Sequence, residues 1–171
     1  MKKFLKELYP YVVIVVVVVL FRTFIATPVR VDGTSMDTTL KNGEILILNK
    51  LDKSYERFDV VVVNVEVDGK KSKLVKRIIG LPGESIEYKD NELYINNEVI
   101  KDVASSRTNN FSLKGLYDIN KLPEDYYFVM GDNRKYSRDS RDYTVGIIKK
   151  DDIVGTTTLR IFPFNKIGKF N

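Results

Sequence analysis

The chain has 171 residues, enough for one domain with a real core or one domain and a small annex. It contains neither cysteine nor histidine, which excludes disulfides, thiolate chemistry and a Ser-His-Asp triad, and leaves zinc without its usual ligands. Of the net charge of +5, residues 1–26 carry +3 and the other 145 residues only +2, so the body lacks the concentrated basic face that nucleic-acid binding needs.

The first predicted element is a membrane helix. Tyr11 to Phe21 is apolar throughout, and Leu8–Ala26 is a run of 19 residues broken by Pro10, Arg22 and Thr23. As a helix, such a run spans about 28 Å, close to the thickness of a bilayer core. Five consecutive valines favour strand in water, but in lipid only a helix satisfies the backbone. Pro10 is tolerable in a first turn, and Arg22 can snorkel to the headgroups. A buried soluble strand would be shorter than this run. A cleaved signal peptide fits the charge and apolar pattern, but Phe24-Ile25-Ala26 lacks small-x-small residues before a cut. Lys2, Lys3 and Lys6 ahead of the span point to a cytoplasmic N-terminus, although Arg22 and Arg30 beyond it reduce that bias.

Beyond the span, Pro28 is expected to end the helical run and Val29–Asp32 to be extended. Glu44–Asn49 and Asp59–Val67 read as strands, and Asp68-Gly69 is a hairpin signal that makes Lys73–Ile79 the return strand. Leu81-Pro82-Gly83 is a turn. Ser85–Tyr88, Glu92–Ile95 and Glu98–Ile100, separated by Lys-Asp-Asn and Asn-Asn turns, form a small meander. Residues 101–122 are irregular apart from a short helix between Leu113 and Leu122. Tyr126–Met130 is a strand, Gly131–Asp142 a loop, and Asp152–Val154 and Thr157–Phe162 are late strands. The body is therefore mostly β, with turns at sandwich or barrel spacing.

Three stretches carry the chemistry. Ser35, in Gly33-Thr34-Ser35-Met36, follows the span closely, and Gly33 would let a substrate backbone approach. By composition alone it is a turn serine. As a nucleophile it needs a base, and with no imidazole the candidate is a lysine kept neutral by burial. Lys76 stands among Val75, Ile78 and Ile79, and strand alternation separates it from Arg77. Exposed, it would be merely solvated. At a pKa of ~10.4 only about one lysine in 2,500 is neutral at pH 7, whereas at ~7–8 the neutral fraction suffices for a general base. The third stretch, Gly131 to Arg141, has the composition of a charged surface loop. Yet Asp139 and Arg141 are placed to pair with each other, Asp132 can reach Arg77, and Ser137 could hold a neutral lysine towards Ser35.

Together these residues resemble the type I signal peptidases, bacterial membrane-bound Ser/Lys proteases that remove signal peptides from exported proteins. The similarity runs through the anchor, Ser35-Met36 with Thr39-Leu40, Arg57-Phe58-Asp59-Val60-Val61-Val62, Lys76 to Glu84, and Gly131-Asp132-Asn133-Arg134 with Ser137, Asp139, Ser140 and Arg141. The resemblance implies a signal-peptidase-type β-fold of antiparallel sheets with one transmembrane helix. It implies Ser35 as nucleophile, Lys76 as base and then acid, and Ser137 as the group orienting the lysine. Asp132 with Arg77 and Asp139 with Arg141 would brace the site, and Gly33 and Met36 would lie against the substrate. The oxyanion hole would rest on backbone, chiefly the Ser35 N–H, because Gly33 replaces the serine some members use. Thr38 stands where the family usually has proline, and Phe58 where it has glycine.

No metal or cofactor is implied. The expected partners are signal peptides of exported preproteins and the lipid bilayer, not nucleic acid. Residues 1–7 would be cytoplasmic, 8–26 the anchor, and 27–171 an extracytoplasmic catalytic domain in the bacterial cell membrane. The domain would carry a short β insertion at about 87–124, similar to Gram-positive members. Four rivals stay open at this point. They are a non-catalytic pilus-assembly chaperone on the same fold, a pilin-dedicated peptidase, a self-cleaving repressor-like protease that would need a DNA-binding domain in place of the span, and a basic peripheral membrane binder.

Overall fold

The computed structural model describes residues 2–170, and side chains from Lys6 onward. Met1 of the expected cytoplasmic segment, the side chains of Lys2 and Lys3, and Asn171 lie outside that description. Helix α1 runs Lys2–Phe24, and from Lys6 to Phe24 every side chain is exposed. From Lys6 to Phe24 it is long and apolar enough to cross a bilayer. It begins earlier than the apolar run, so Pro10 falls inside the helix rather than in its first turn.

The chain turns from helix to strand sooner than Pro28 suggested. Strand β1 is Ala26–Arg30, with Pro28 in its middle. Proline is tolerated there because β1 is the edge of its sheet, paired only with β2 (Ile45–Asn49). Next come β3 (Val60–Val67) and β4 (Lys70–Gly80), joined by Asp68 and Gly69 with φ of 53° and 72°. Two positive φ values in a two-residue loop are what a tight hairpin matching the strand twist requires. Val60 to Val63 are buried without alternation, as expected for a strand covered on both faces.

A second sheet is built from β5 (Ile86–Lys89), β6 (Glu92–Ile95), β7 (Glu98–Ile100) and β8 (Phe111–Ser112), in the order β7-β6-β5-β8. The helix expected between Leu113 and Leu122 is only α2, Leu113–Tyr117. Ser112 caps it by accepting from the Gly115 N–H, and Asp118 at φ 56° ends it. The chain then returns through β9 (Tyr126–Met130), β10 (Ile148–Lys149), β11 (Ile153–Phe162) and β12 (Gly168–Lys169). The two late strands expected separately are one strand, β11, bulged where it passes between β2 and β3.

The main sheet has the order β1-β2-β11-β3-β4-β9-β10, with β12 added to β11, and every pairing is antiparallel. The fold is thus mostly antiparallel β with one apolar helix. Strand β4 is central. Lys76 faces Val61 across the ladder, while Arg77, pointing to the other side, lies between Val60 and Met130. One apolar cluster gathers Val31, Met36, Leu40, Leu46, Val60 and Phe170 from five separate stretches of chain.

Candidate active site

Ser35 sits in the loop between β1 and β2. The loop is closed at its base by hydrogen bonds between Val31 N–H and Glu44 C=O and between Gly43 N–H and Val31 C=O, both 2.8 Å. Within it, the Met36 carbonyl accepts from the N–H groups of Thr39 and Leu40 at 3.1 and 2.8 Å, which winds the chain into a turn just after the serine. Met36 and Leu40 plug that turn into the core. Met36, expected beside the substrate, is only 1% exposed, so it anchors the Ser35 loop instead of offering a surface. Gly33 is exposed at φ 92°, and nothing lies within 4 Å of where a side chain would start. A residue with a side chain would be strained there by its backbone, and the space beside Gly33 is open.

The loop after β9 grips the same segment from the other side. Asn133 donates twice, from its backbone N–H to the Ser35 carbonyl and from Nδ2 to the Thr34 carbonyl, each at 3.0 Å. Gly131 has to be glycine because a Cβ there would strike both Ser137 Oγ and the Ser35 carbonyl oxygen. Sequence reading placed Asn133 inside a motif but assigned it no role. Its position directly beside Asp132 was the available signal.

Lys76 comes from the middle of β4 and is 2% exposed. Its Nζ lies 2.7 Å from Ser35 Oγ, and it has no ion-pair partner among the described residues. Burial, the largest influence, brings its pKa down from the ordinary 10.5 to about 8. Asp139 and Asp132 oppose the fall, and Arg141 adds to it. At 2.7 Å the amine donates to the hydroxyl when charged. When neutral, its lone pair accepts the hydroxyl proton over the same distance.

The two expected acid–base pairs are both present. Arg77 binds Asp132 through Nε–Oδ1 at 2.8 Å and Nη2–Oδ2 at 2.7 Å, with the residues only 3% and 1% exposed. Thr39 Oγ1 donates to the same carboxylate, which ties the Ser35 loop to this pair. Arg141 binds Asp139 through Nε and Nη2, both at 2.8 Å, and Asp139 also accepts from the Gly131 N–H at 2.9 Å. Ser137 departs from expectation. Its Oγ is buried beside Gly131 but makes no hydrogen bond, to Lys76 or to any other described group.

A further buried network went unassigned in the sequence. Arg134 donates to Tyr88 Oη, to Thr108 Oγ1 at 3.1 Å and to Asp102 Oδ1 at 2.9 Å, pinning the loop after β9 to the second sheet. Arg57 likewise donates to the Ile79 carbonyl at 2.7 Å and to both carboxylate oxygens of Glu84, fixing the end of β4.

The chain is similar to known proteins. The family described as signal peptidase, peptidase S26, matches residues 3–162. The chain is similar to signal peptidase I P of Bacillus subtilis subsp. natto, 41% identical over 167 residues that cover 92% of this chain and 88% of that protein. It is also similar to signal peptidase I T of Bacillus subtilis strain 168, 40% identical over 165 residues that cover 91% of this chain and 84% of that protein. Among solved structures it resembles a signal peptidase I from Enterococcus faecalis V583, with a TM-score of 0.53 and 33% identity over 60% of this chain and 96% of the other. The chain belongs to the signal peptidase family, peptidase S26, and with it to the proteases.

Proposed function

We propose that this protein is a membrane-anchored serine endopeptidase that cuts signal peptides from exported proteins, with Ser35 as nucleophile and Lys76 as base. The observation that carries the proposal is the 2.7 Å approach of a buried, pKa-lowered amine to a serine hydroxyl in a chain without histidine. Neutral Lys76 takes the Ser35 proton as Oγ attacks the scissile carbonyl. The resulting lysine ammonium returns that proton to the departing amine, leaving an acyl-enzyme. Water, deprotonated by the same amine, then releases the acyl group and regenerates Ser35. The oxyanion falls to backbone donors, chiefly the Ser35 N–H, which donates to no other group among the described residues. Arg77 with Asp132, and Asp139 with Arg141, hold the two loops that meet at Ser35. Ser137 Oγ, buried beside the Ser35 carbonyl and without a partner, is free to turn to Lys76 as the reaction proceeds.

The substrate binds as an extended strand that approaches over Gly33. Residues 8–26 anchor the protein, residues 1–7 with Lys2, Lys3 and Lys6 stay in the cytoplasm, and the domain from 27 onward works outside the membrane. The non-catalytic chaperone alternative is not favoured, because the relatives bear the names of peptidases and both Ser35 and Lys76 are present. Ser35→Ala and Lys76→Ala should each abolish cleavage of a generic signal-peptide substrate by a protein that remains folded. Near-wild-type turnover in either variant would reject the proposal.

A further inference from the structure

Beside the dyad, and not used by the mechanism above, is a cleft of about 560 Å³ walled by Arg107, Arg134, Lys135, Ser137, Arg141 and Asp142. Its charges do not cancel. Arg134 is paired with Asp102 and Arg141 with Asp139, while the one acid in the wall, Asp142, is paired with Arg138. Arg107 and Lys135 are exposed and have no ion-pair partner among the described residues. Two polar atoms of the wall, Arg134 Nε and Ser137 Oγ, are buried without a hydrogen-bond partner. The uncompensated charge of the wall is therefore carried by Arg107 and Lys135.

The cleft lies close to the reaction centre, because Ser137 lines it and lies near the same Gly131 as the Ser35 carbonyl. The anchor helix enters the sheet at β1, one edge, whereas Lys135, Ser137 and Arg141 follow β9, next to the opposite edge. A polypeptide that ran from the membrane side across Ser35 towards this edge would meet the cleft after the bond to be cut.

We infer that this cleft receives carboxylate side chains of the substrate within the first few residues after the cut, with Arg107 and Lys135 as the residues that select them. The inference rests on the proposed function, since it needs a polypeptide crossing Ser35. Acidic residues there supply the opposite charge, and lysines at the same places meet two uncompensated cations.

The test uses the full chain in detergent and three signal-type peptides that differ only at the second to fourth positions after the cut, carrying Glu, Gln or Lys. At low salt the Glu peptide should show a KM about three- to tenfold below that of the Lys peptide, and the gap should close in high salt. The double variant Arg107→Gln/Lys135→Gln should erase the gap and cleave the Gln peptide as the unmodified protein does. A gap that survives in the double variant, no gap in the unmodified protein, or the same gain from Glu placed before the cut would overturn the inference while leaving the peptidase assignment standing. A double-variant defect confined to protein in anionic-lipid vesicles, whatever the peptide's charge, would overturn it in favour of a headgroup site. Failure to cut all three peptides would instead sink the proposed function, and the inference with it.

Discussion

Lys76 and Arg77 are adjacent on β4, both buried, and point to opposite faces of the sheet. Arg77 is neutralised by Asp132 at 2.7 Å, whereas Lys76 faces the Ser35 hydroxyl without an acid. Two neighbouring cations are thus given opposite treatment, one paired with an acid and one pushed towards neutrality.

Turnover should follow the neutral form of Lys76. With a pKa of about 8, roughly a tenth of the amine is neutral at pH 7, hundreds of times more than for an ordinary lysine. In a steady-state pH profile, kcat/KM should rise about tenfold per pH unit below 8 and level off above it. Lys76→Arg, which stays charged at every working pH, should be inactive throughout.

Stability should show the same group with its own sign. The folded pKa lies below the unfolded value of 10.5, so the unfolded chain binds the proton more tightly. The penalty is complete below pH 8 and disappears as pH rises towards 10.5. Lys76→Met should therefore be inactive yet more stable at pH 6–7, by on the order of 3 kcal/mol. Urea unfolding at pH 6.5 and pH 10 should show that advantage shrinking.

Asp132→Asn leaves Arg77 buried without a counter-ion and loosens Thr39 in the nucleophile's loop. The expected loss is about 3–5 kcal/mol by denaturant unfolding. The paired change Arg77→Met with Asp132→Leu should recover much of it, because no uncompensated charge remains.

Thr38 has φ 98° and is exposed. That conformation strains a β-branched residue, and glycine adopts it freely. Thr38→Gly should raise stability by about 1 kcal/mol. Thr38→Pro, the residue the family resemblance would suggest, should lower the melting temperature, because a proline ring holds φ near −65°.

Much of this site could be read before the fold was known. The valine run and the Asp-Gly and Asn-Asn turns are local patterns, each realised where the residues imply it, whereas the aliphatic neighbours of Lys76 allowed its burial without deciding it. The absence of histidine narrowed the base to one residue type. What stayed hidden depends on contacts between distant parts of the chain. Arg134 meets Tyr88 across 46 residues, and Glu44 meets Arg160 across 116, with no local period to announce either. Strands β10 and β12 have two residues each, too few to alternate. Met36 looked like a substrate contact because it follows the nucleophile, but the turn after Ser35 rotates it into the core.

Phe170 sits in the same apolar cluster as Met36 and Leu40, yet the shared family region stops at residue 162. The floor under the Ser35 loop is therefore laid partly by a stretch far from it in sequence. A change at Phe170 would be felt as a change in how firmly the Ser35 hydroxyl is aimed at Lys76, without any substitution in the loop itself.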